Sequence, residues 1–225
     1  FGRDRVSASE AAQLPPLLRN FDAISVREAS GVTLVERATG HKPANVPDPT
    51  LLHSDYAELT DSAPSGQDEP YVFCYGLRSP DNIRQTADLV AQQLGCPIRS
   101  PHNPHRRWVE IGDTVYPDPG EWVSLIRNAR FVVTNSFHGT VFSLLFKKPF
   151  IVAGLTGDKA TANARALNLL RAVGLESRFA PSFSAQNTQA LMAREIDWAD
   201  VDQRLADLRQ AGNAFLNTQL KAVTA

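Results

Sequence analysis

Hydrophobic positions along this chain follow two rhythms, and their alternation predicts the fold. Short apolar runs read as buried strands; between them, apolar residues recur every three or four positions, as on one face of a helix. Residues 131–152, FVVTNSFHGTVFSLLFKKPFIV, are the most informative stretch. They read as a buried strand, a small polar crossing, an apolar helix and a second buried strand. Upstream, residues 71–77 form a strand candidate, and Ile83, Ala87, Val90 and Leu94 recur at +4, +3 and +4 on one helix face. Ile98 and residues 109–111 are further strand candidates. Residues 121–129 predict a short helix with Leu125, Ile126 and Ala129 inward, and residues 164–173 predict another. Val201, Leu205, Leu208 and Phe215 mark a long C-terminal helix. Strands alternating with helices predict an α/β protein with a Rossmann-like, doubly wound parallel sheet.

The first third of the chain is less regular. Residues 15–21 read as a helix end, residues 22–26 (DAISV) as a short strand, and the stretch to about Ala38 as a helix. In NVPDPT, residues 45–50, a strand end runs into a turn, because each proline restricts itself and the residue before it. TDSAPSGQDEP, ending at Pro70, is polar and without apolar periodicity, and so reads as a linker. The expected organisation is residues 1–60 from an N-terminal Rossmann-like domain, 61–70 as linker, 71–198 as a C-terminal Rossmann-like domain that binds the donor, and 199–221 as a closing helix. The chain opens on Phe1 and its only methionine is Met192. A fragment or processed chain, with the N-terminal domain incomplete, is therefore expected.

Composition narrows the partners. Among 225 residues the formal net charge is -1, so no field for a polyanion exists and no nucleic acid partner is expected. Cys74 sits in an apolar run and Cys96 between a glycine and a proline, with no CxxC pattern. Such cysteines read as reduced thiols of a cytoplasmic protein. No apolar run approaches the roughly 20 residues that span a bilayer.

In an open parallel sheet, ligands gather at the carboxyl ends of the strands. His138 falls at such a point, flanked by Asn135, Ser136 and Gly139. An imidazole titrates near neutral pH and can both give and take a proton. Gly139 permits close approach of backbone to a ligand, and Asn135 and Ser136 add donors at a helix N-terminus, a ready anion site. The plainer alternative is a histidine that caps or packs at a helix start. Lys159 and Arg165 follow the next strand and suit a phosphate or carboxylate, the arginine bidentately. Solvated surface cations are their alternative. Arg27, at the end of AISV, reads by itself as a strand-end surface residue. His102 and His105 lie in SPHNPHRRW without cysteine or carboxylate partners, so no metal is expected. Neither GxGxxG, a P-loop nor GxSxG occurs.

Five blocks in order resemble the polysaccharide pyruvyltransferase family. They are FDAISVREASG, VPDPTLL, TNSFHGTVFSLLFKKPFIV, TANARALNLLRAVGLESRF and IDWADVDQRLADLRQAGNAFL. The resemblance implies a two-domain arrangement similar to GT-B glycosyltransferases. It implies transfer of a pyruvyl group from phosphoenolpyruvate to two hydroxyls of a sugar, closing a ketal, in bacterial exopolysaccharide or cell-wall polymer assembly. His138 would be the catalytic histidine, and Arg27, Lys159 and Arg165 candidates for the donor's phosphate and carboxylate. No cofactor is implied beyond phosphoenolpyruvate as donor. A lipid-linked oligosaccharide acceptor would bring the chain to the inner face of the plasma membrane. Some relatives carry arginine where this chain has Ser136, and residues missing before Phe1 would hold much of the acceptor site. A transferase of the same fold using a nucleotide sugar, and a non-catalytic carbohydrate-binding or assembly protein, are the alternatives.

Overall fold

The computed structural model describes residues 7–60, 69–77, 81–103 and 109–224. Residues 61–68 of the expected linker lie outside the described residues. The chain divides into two compact units, Phe1–His53 with Asp202–Ala225, and Ser54–Val201.

In the first unit, α1 (Ala8–Leu18) opens on a capping box in which Ser7 and Glu10 bond reciprocally. Strand β1 (Ser25–Val26), helix α2 (Ala29–Thr39) and strand β2 (Ala44–Asn45) follow, with β1 and β2 paired in parallel. Only two residues of the expected strand 22–26 enter the ladder. The turn read at residues 45–50 closes as a short helix, α3 (Pro49–Leu52), capped by Asp48. Proline at the first helical position costs nothing there, since its missing N–H would be unpaired anyway.

The second unit holds the main sheet. Its elements are α4 (Ala57–Thr60), β3 (Val72–Tyr75), α5 (Asp81–Leu94), β4 (Ile98–Pro101), β5 (Asp113–Val115), α6 (Pro119–Asn128) and β6 (Phe131–Thr134). Then come α7 (Phe137–Leu145), β7 (Phe150–Ala153), α8 (Asn163–Ala172), β8 (Phe179–Ala180), α9 (Ala185–Ala193) and the long α10 (Trp198–Thr224), whose first residues belong to this unit. The six strands run in parallel in the order β5-β4-β3-β6-β7-β8. That is the doubly wound order, which reverses between β3 and β6 and leaves a ligand crevice at their carboxyl ends.

The apolar runs are continuous because the sheet is covered on both faces. Along β3, Val72 and Cys74 face the core made with Ile83, Ala87 and Val90 of α5. Phe73 and Tyr75 face the opposite way, toward Trp122 of α6. Burial pushes the Cys74 thiol up, so it stays protonated in the core. Both cysteines are free.

The strand expected at residues 109–111 lies a few residues later, at Asp113–Val115. Gly112 marks the reason: its φ is 65°, and a Cβ there would fall 2.5 Å from the Ile98 carbonyl. The backbone therefore meets β4 edge-on at Gly112, and regular pairing starts only after it, at Arg99 with Asp113. Strand β8 and helix α9 carry too short an apolar pattern to be predicted.

Arg178 organises that last segment. It is 1% exposed and donates from Nη1 to the Leu191 carbonyl at 2.7 Å and from Nη2 to the Arg194 carbonyl. The guanidinium thus closes the C-terminus of α9, whose last carbonyls have no partners within the helix. Arg178→Ala removes both bonds and leaves the buried Leu191 carbonyl without this donor. A loss of about 2–4 kcal/mol in urea unfolding is expected. Arg171→Ala, which breaks a pair with Glu176 more than half exposed on both sides, is expected to cost under about 1 kcal/mol. Equal losses in the two variants would contradict the capping role.

Candidate functional site at the carboxyl edge of the sheet

The site is built at the point where the strand order reverses. Tyr75 and Thr134 are partners at the last positions of β3 and β6. The Thr134 hydroxyl donates to the Tyr75 carbonyl at 2.6 Å and accepts from the Ser136 amide at 3.0 Å. One residue on, Asn135 donates its amide to Tyr75 O at 3.3 Å, while its side-chain Oδ1 accepts from the Leu77 amide at 2.8 Å. Asn135 and Ser136 are both buried, and Ser136 is the N-cap of α7, accepting from the Gly139 amide at 3.4 Å. Gly139 is dictated by packing within the protein. A Cβ there would lie 2.3 Å from Thr134 Oγ1, so α7 can start this close to β6 only on a glycine.

His138 is thereby the second residue of α7, exposed, at the helix end that favours anions. Phe137 links it to the next predicted residue. The Phe137 ring stands edge-to-face with His138, centroids 5.4 Å apart and planes at 80°. The Arg165 guanidinium lies over the same ring at 4.8 Å. Asn163, at the start of α8, bonds both the amide and the carbonyl of Leu155 at 2.8 Å and so fixes the helix that carries Arg165. Lys159 belongs to the 3₁₀ turn Gly157–Ala162 between β7 and α8, and its side chain lies outside the described residues. The structure therefore gathers His138, Asn135, Ser136, Gly139 and Arg165 at one edge of one sheet.

A cavity of about 690 Å³ opens beside His138. Tyr75, Trp122 and Phe142 line it as a fixed aromatic group, with Trp122 edge-on to Tyr75 at 4.9 Å and to Phe142 at 5.4 Å. Burial pushes the Tyr75 phenol up, so it remains a neutral hydroxyl. His102 and Tyr116, from the loops after β4 and β5, also border the cavity. His105 lies outside the described residues. Among the described residues, no three His, Cys, Asp or Glu side chains converge as metal ligands. No helix among them is long and apolar enough to cross a membrane.

Arg27 belongs to the first unit. It forms an ion pair with Asp48 across the ends of β1 and β2, and its side chain is 42% exposed while that of Asp48 is 2% exposed. Asp48 also accepts from the Thr50 amide at 3.1 Å and from its hydroxyl at 2.7 Å.

Phe137, Asn163, Tyr116 and the aromatic group were not identified by sequence reasoning. Phe137 carried one usable signal, an aromatic ring directly beside the histidine. The others read as ordinary core or loop positions.

These features define an α/β protein with a crevice at the switch point of a doubly wound sheet. The chain belongs to the polysaccharide pyruvyl transferase family, whose model matches residues 15–155. Among solved structures it is similar to MurG of Acinetobacter baumannii, at 10% identity, a TM-score of 0.50, and coverage of 98% of this chain and 65% of that one. It is also similar to the UDP-GlcNAc 2-epimerases of Methanocaldococcus jannaschii and Neisseria meningitidis. The first has 9% identity, a TM-score of 0.45, and coverage of 85% of this chain and 52% of that one. The second has 14% identity, a TM-score of 0.43, and coverage of 73% and 47%. The chain thus spans about half the length of these epimerases. At such identity the likeness to MurG bears on the fold alone. A comparison with curated proteins returned no match.

Asp48 supplies a pH test of the pair in the first unit. Burial alone would raise its carboxyl, but the Thr50 hydroxyl and amide and the Arg27 guanidinium outweigh that and hold it below the usual value. The stability it contributes is therefore present above the unfolded value of about 3.9 and is lost as pH falls toward the folded one. Asp48→Asn is expected to be less stable than wild type by about 1–3 kcal/mol at pH 7. Denaturant titrations should show that gap closing as pH falls below about 4. A gap independent of pH would mean that the carboxylate charge contributes nothing.

Proposed function

We propose that the protein moves a pyruvyl group from phosphoenolpyruvate to two hydroxyls of a sugar, closing a cyclic ketal, in exopolysaccharide or cell-wall polymer biosynthesis. The observation that carries this reading is an exposed histidine at the switch point, on the wall of a cavity and joined to an arginine through one aromatic ring. Phosphoenolpyruvate bears a phosphate and a carboxylate, which call for fixed cations and amide donors. Arg165 and the first amides of α7 are the proposed donor contacts. Asn135, Ser136 and Gly139 build the turn that presents those amides, and Lys159 and Arg27 are proposed as further cations.

His138 serves as the acid–base group. Protonation of the donor's methylene carbon leaves an oxocarbenium-like centre at C2. A sugar hydroxyl attacks that centre and gives up its proton. Phosphate then departs with its C–O bonding pair, and the second hydroxyl closes on C2, losing its proton in turn. A lipid-linked acceptor would bring this chemistry to the inner face of the plasma membrane.

His138→Ala is expected to abolish transfer while leaving cooperative unfolding unchanged, because the side chain is exposed rather than part of the core. Turnover retained in that variant would remove the histidine from the mechanism. Arg165→Ala should weaken phosphoenolpyruvate binding in calorimetric titration by about 1.5–3 kcal/mol, the worth of a charge-assisted contact. Saturable binding of a nucleotide sugar with no response to phosphoenolpyruvate would instead make the protein a glycosyltransferase, and binding of neither would favour a non-catalytic role.

A further inference from the structure

The cavity at His138 is larger and more aromatic than a three-carbon phosphate donor requires. At about 690 Å³ it falls within the roughly 300–1,000 Å³ typical of sites that enclose drug-sized ligands. Its described border residues are mainly apolar and aromatic. What it offers is a platform. The His102 and Tyr116 rings stack with centroids 5.1 Å apart and planes at 28°. The His102 amide donates to the Val115 carbonyl at 2.8 Å, which ties the two loops together and fixes the pair. Tyr116 is nevertheless 76% exposed, an unusual state for a large ring ordered by stacking. Asp118, also exposed, stands two residues further along, at the N-cap of α6.

An exposed aromatic face beside polar edge groups suits a ligand with one apolar face and a polar rim. A pyranose ring has that form, with C–H bonds on its face and hydroxyls around its edge. We infer that His102 and Tyr116 form the acceptor subsite, on which a neutral hexopyranose stacks with its hydroxyls turned toward His138 and Asp118. The identity of that sugar as acceptor rests on the pyruvyl-transfer reading. The stacking subsite itself rests on the rings. It would place acceptor recognition within Ser54–Val201.

The test is saturation-transfer difference NMR on the full chain with methyl β-D-galactopyranoside, methyl β-D-glucopyranoside and methyl α-D-mannopyranoside. UDP serves as a competitor, and phosphoenolpyruvate is titrated calorimetrically in parallel. Tyr116→Ala is expected to weaken the best-bound hexoside about tenfold, Tyr116→Phe to bind it as wild type does, and both to bind phosphoenolpyruvate unchanged. The inference is overturned if no hexoside binds the wild type, or if binding survives Tyr116→Ala. It is also overturned if UDP is the ligand that Tyr116→Ala loses, since the platform would then hold a nucleobase. Phosphoenolpyruvate binding without a Tyr116-dependent hexoside overturns the subsite alone. A Tyr116-dependent hexoside without phosphoenolpyruvate binding keeps the subsite and overturns the donor reading.

Discussion

The hydroxyl of Thr134 carries the constraint on which the rest of the site depends. At a switch point the two central strands send their chains to opposite faces of the sheet, so the loops leaving them must part while still buried. Thr134 is fully buried and bonds both the Tyr75 carbonyl and the Ser136 amide, closing that gap with one side chain. Asn135 adds a second bridge, to the Leu77 amide. Without the Thr134 hydroxyl the buried Ser136 amide would lose its partner, at about 1–3 kcal/mol. The same threonine sets how closely α7 can approach, since its Oγ1 occupies the space a Cβ on residue 139 would need. The direction of the first turn of α7, and with it the position of His138, follows from that contact.

Polar residues in this structure sort by what they bond. Thr140 and Ser143 on α7 return their hydroxyls to carbonyls four residues back, at 3.0 and 2.7 Å. Asn82 donates to the Gly154 carbonyl at 2.8 Å, tying α5 to the end of β7. Arg178 closes α9 in the same way. Each is buried and satisfies backbone, which is a structural role. His138 and Tyr116 differ, being exposed and held by ring contacts. Arg27 stands between the two kinds. Its pair with Asp48 joins the ends of β1 and β2, yet much of its side chain faces solvent.

The main sheet was legible because both of its faces are covered. Burial on both sides makes a strand a continuous apolar run, and β3, β6 and β7 were found on that signal. Elements near the margins were not. Residues 109–111 looked like a strand, but Val109 is 53% exposed and pairing starts only beyond the left-handed Gly112. The position of His138 was legible, because a polar crossing between an apolar strand and an apolar helix has few other places to lie. The meaning of Gly139 was not. Sequence shows that a side chain is missing and says nothing of which neighbour needs the space. Nor could sequence join His102 to Tyr116, since their contact follows from the register of β4 on β5, which depends on pairing Arg99 with Asp113. The expected linker lies largely outside the described residues.

Phe137 explains how an exposed histidine can still be oriented. A general acid must point at its target before the target arrives, or the orientation is lost again as entropy at each turnover. An imidazole on a helix surface ordinarily samples several rotamers. Here the Phe137 ring stands edge-to-face with it at 80°, and the Arg165 guanidinium lies over that same ring. Such contacts are worth about 0.5–1.5 kcal/mol each, small against the fold but enough to favour one rotamer several-fold. One aromatic residue therefore couples the proposed proton donor to the proposed anion contact, though they sit on different helices. The donor's charge and its methylene carbon would be met by groups whose spacing is set before binding. That reading also accounts for an apolar side chain at a helix N-terminus otherwise built from Asn135, Ser136 and Gly139.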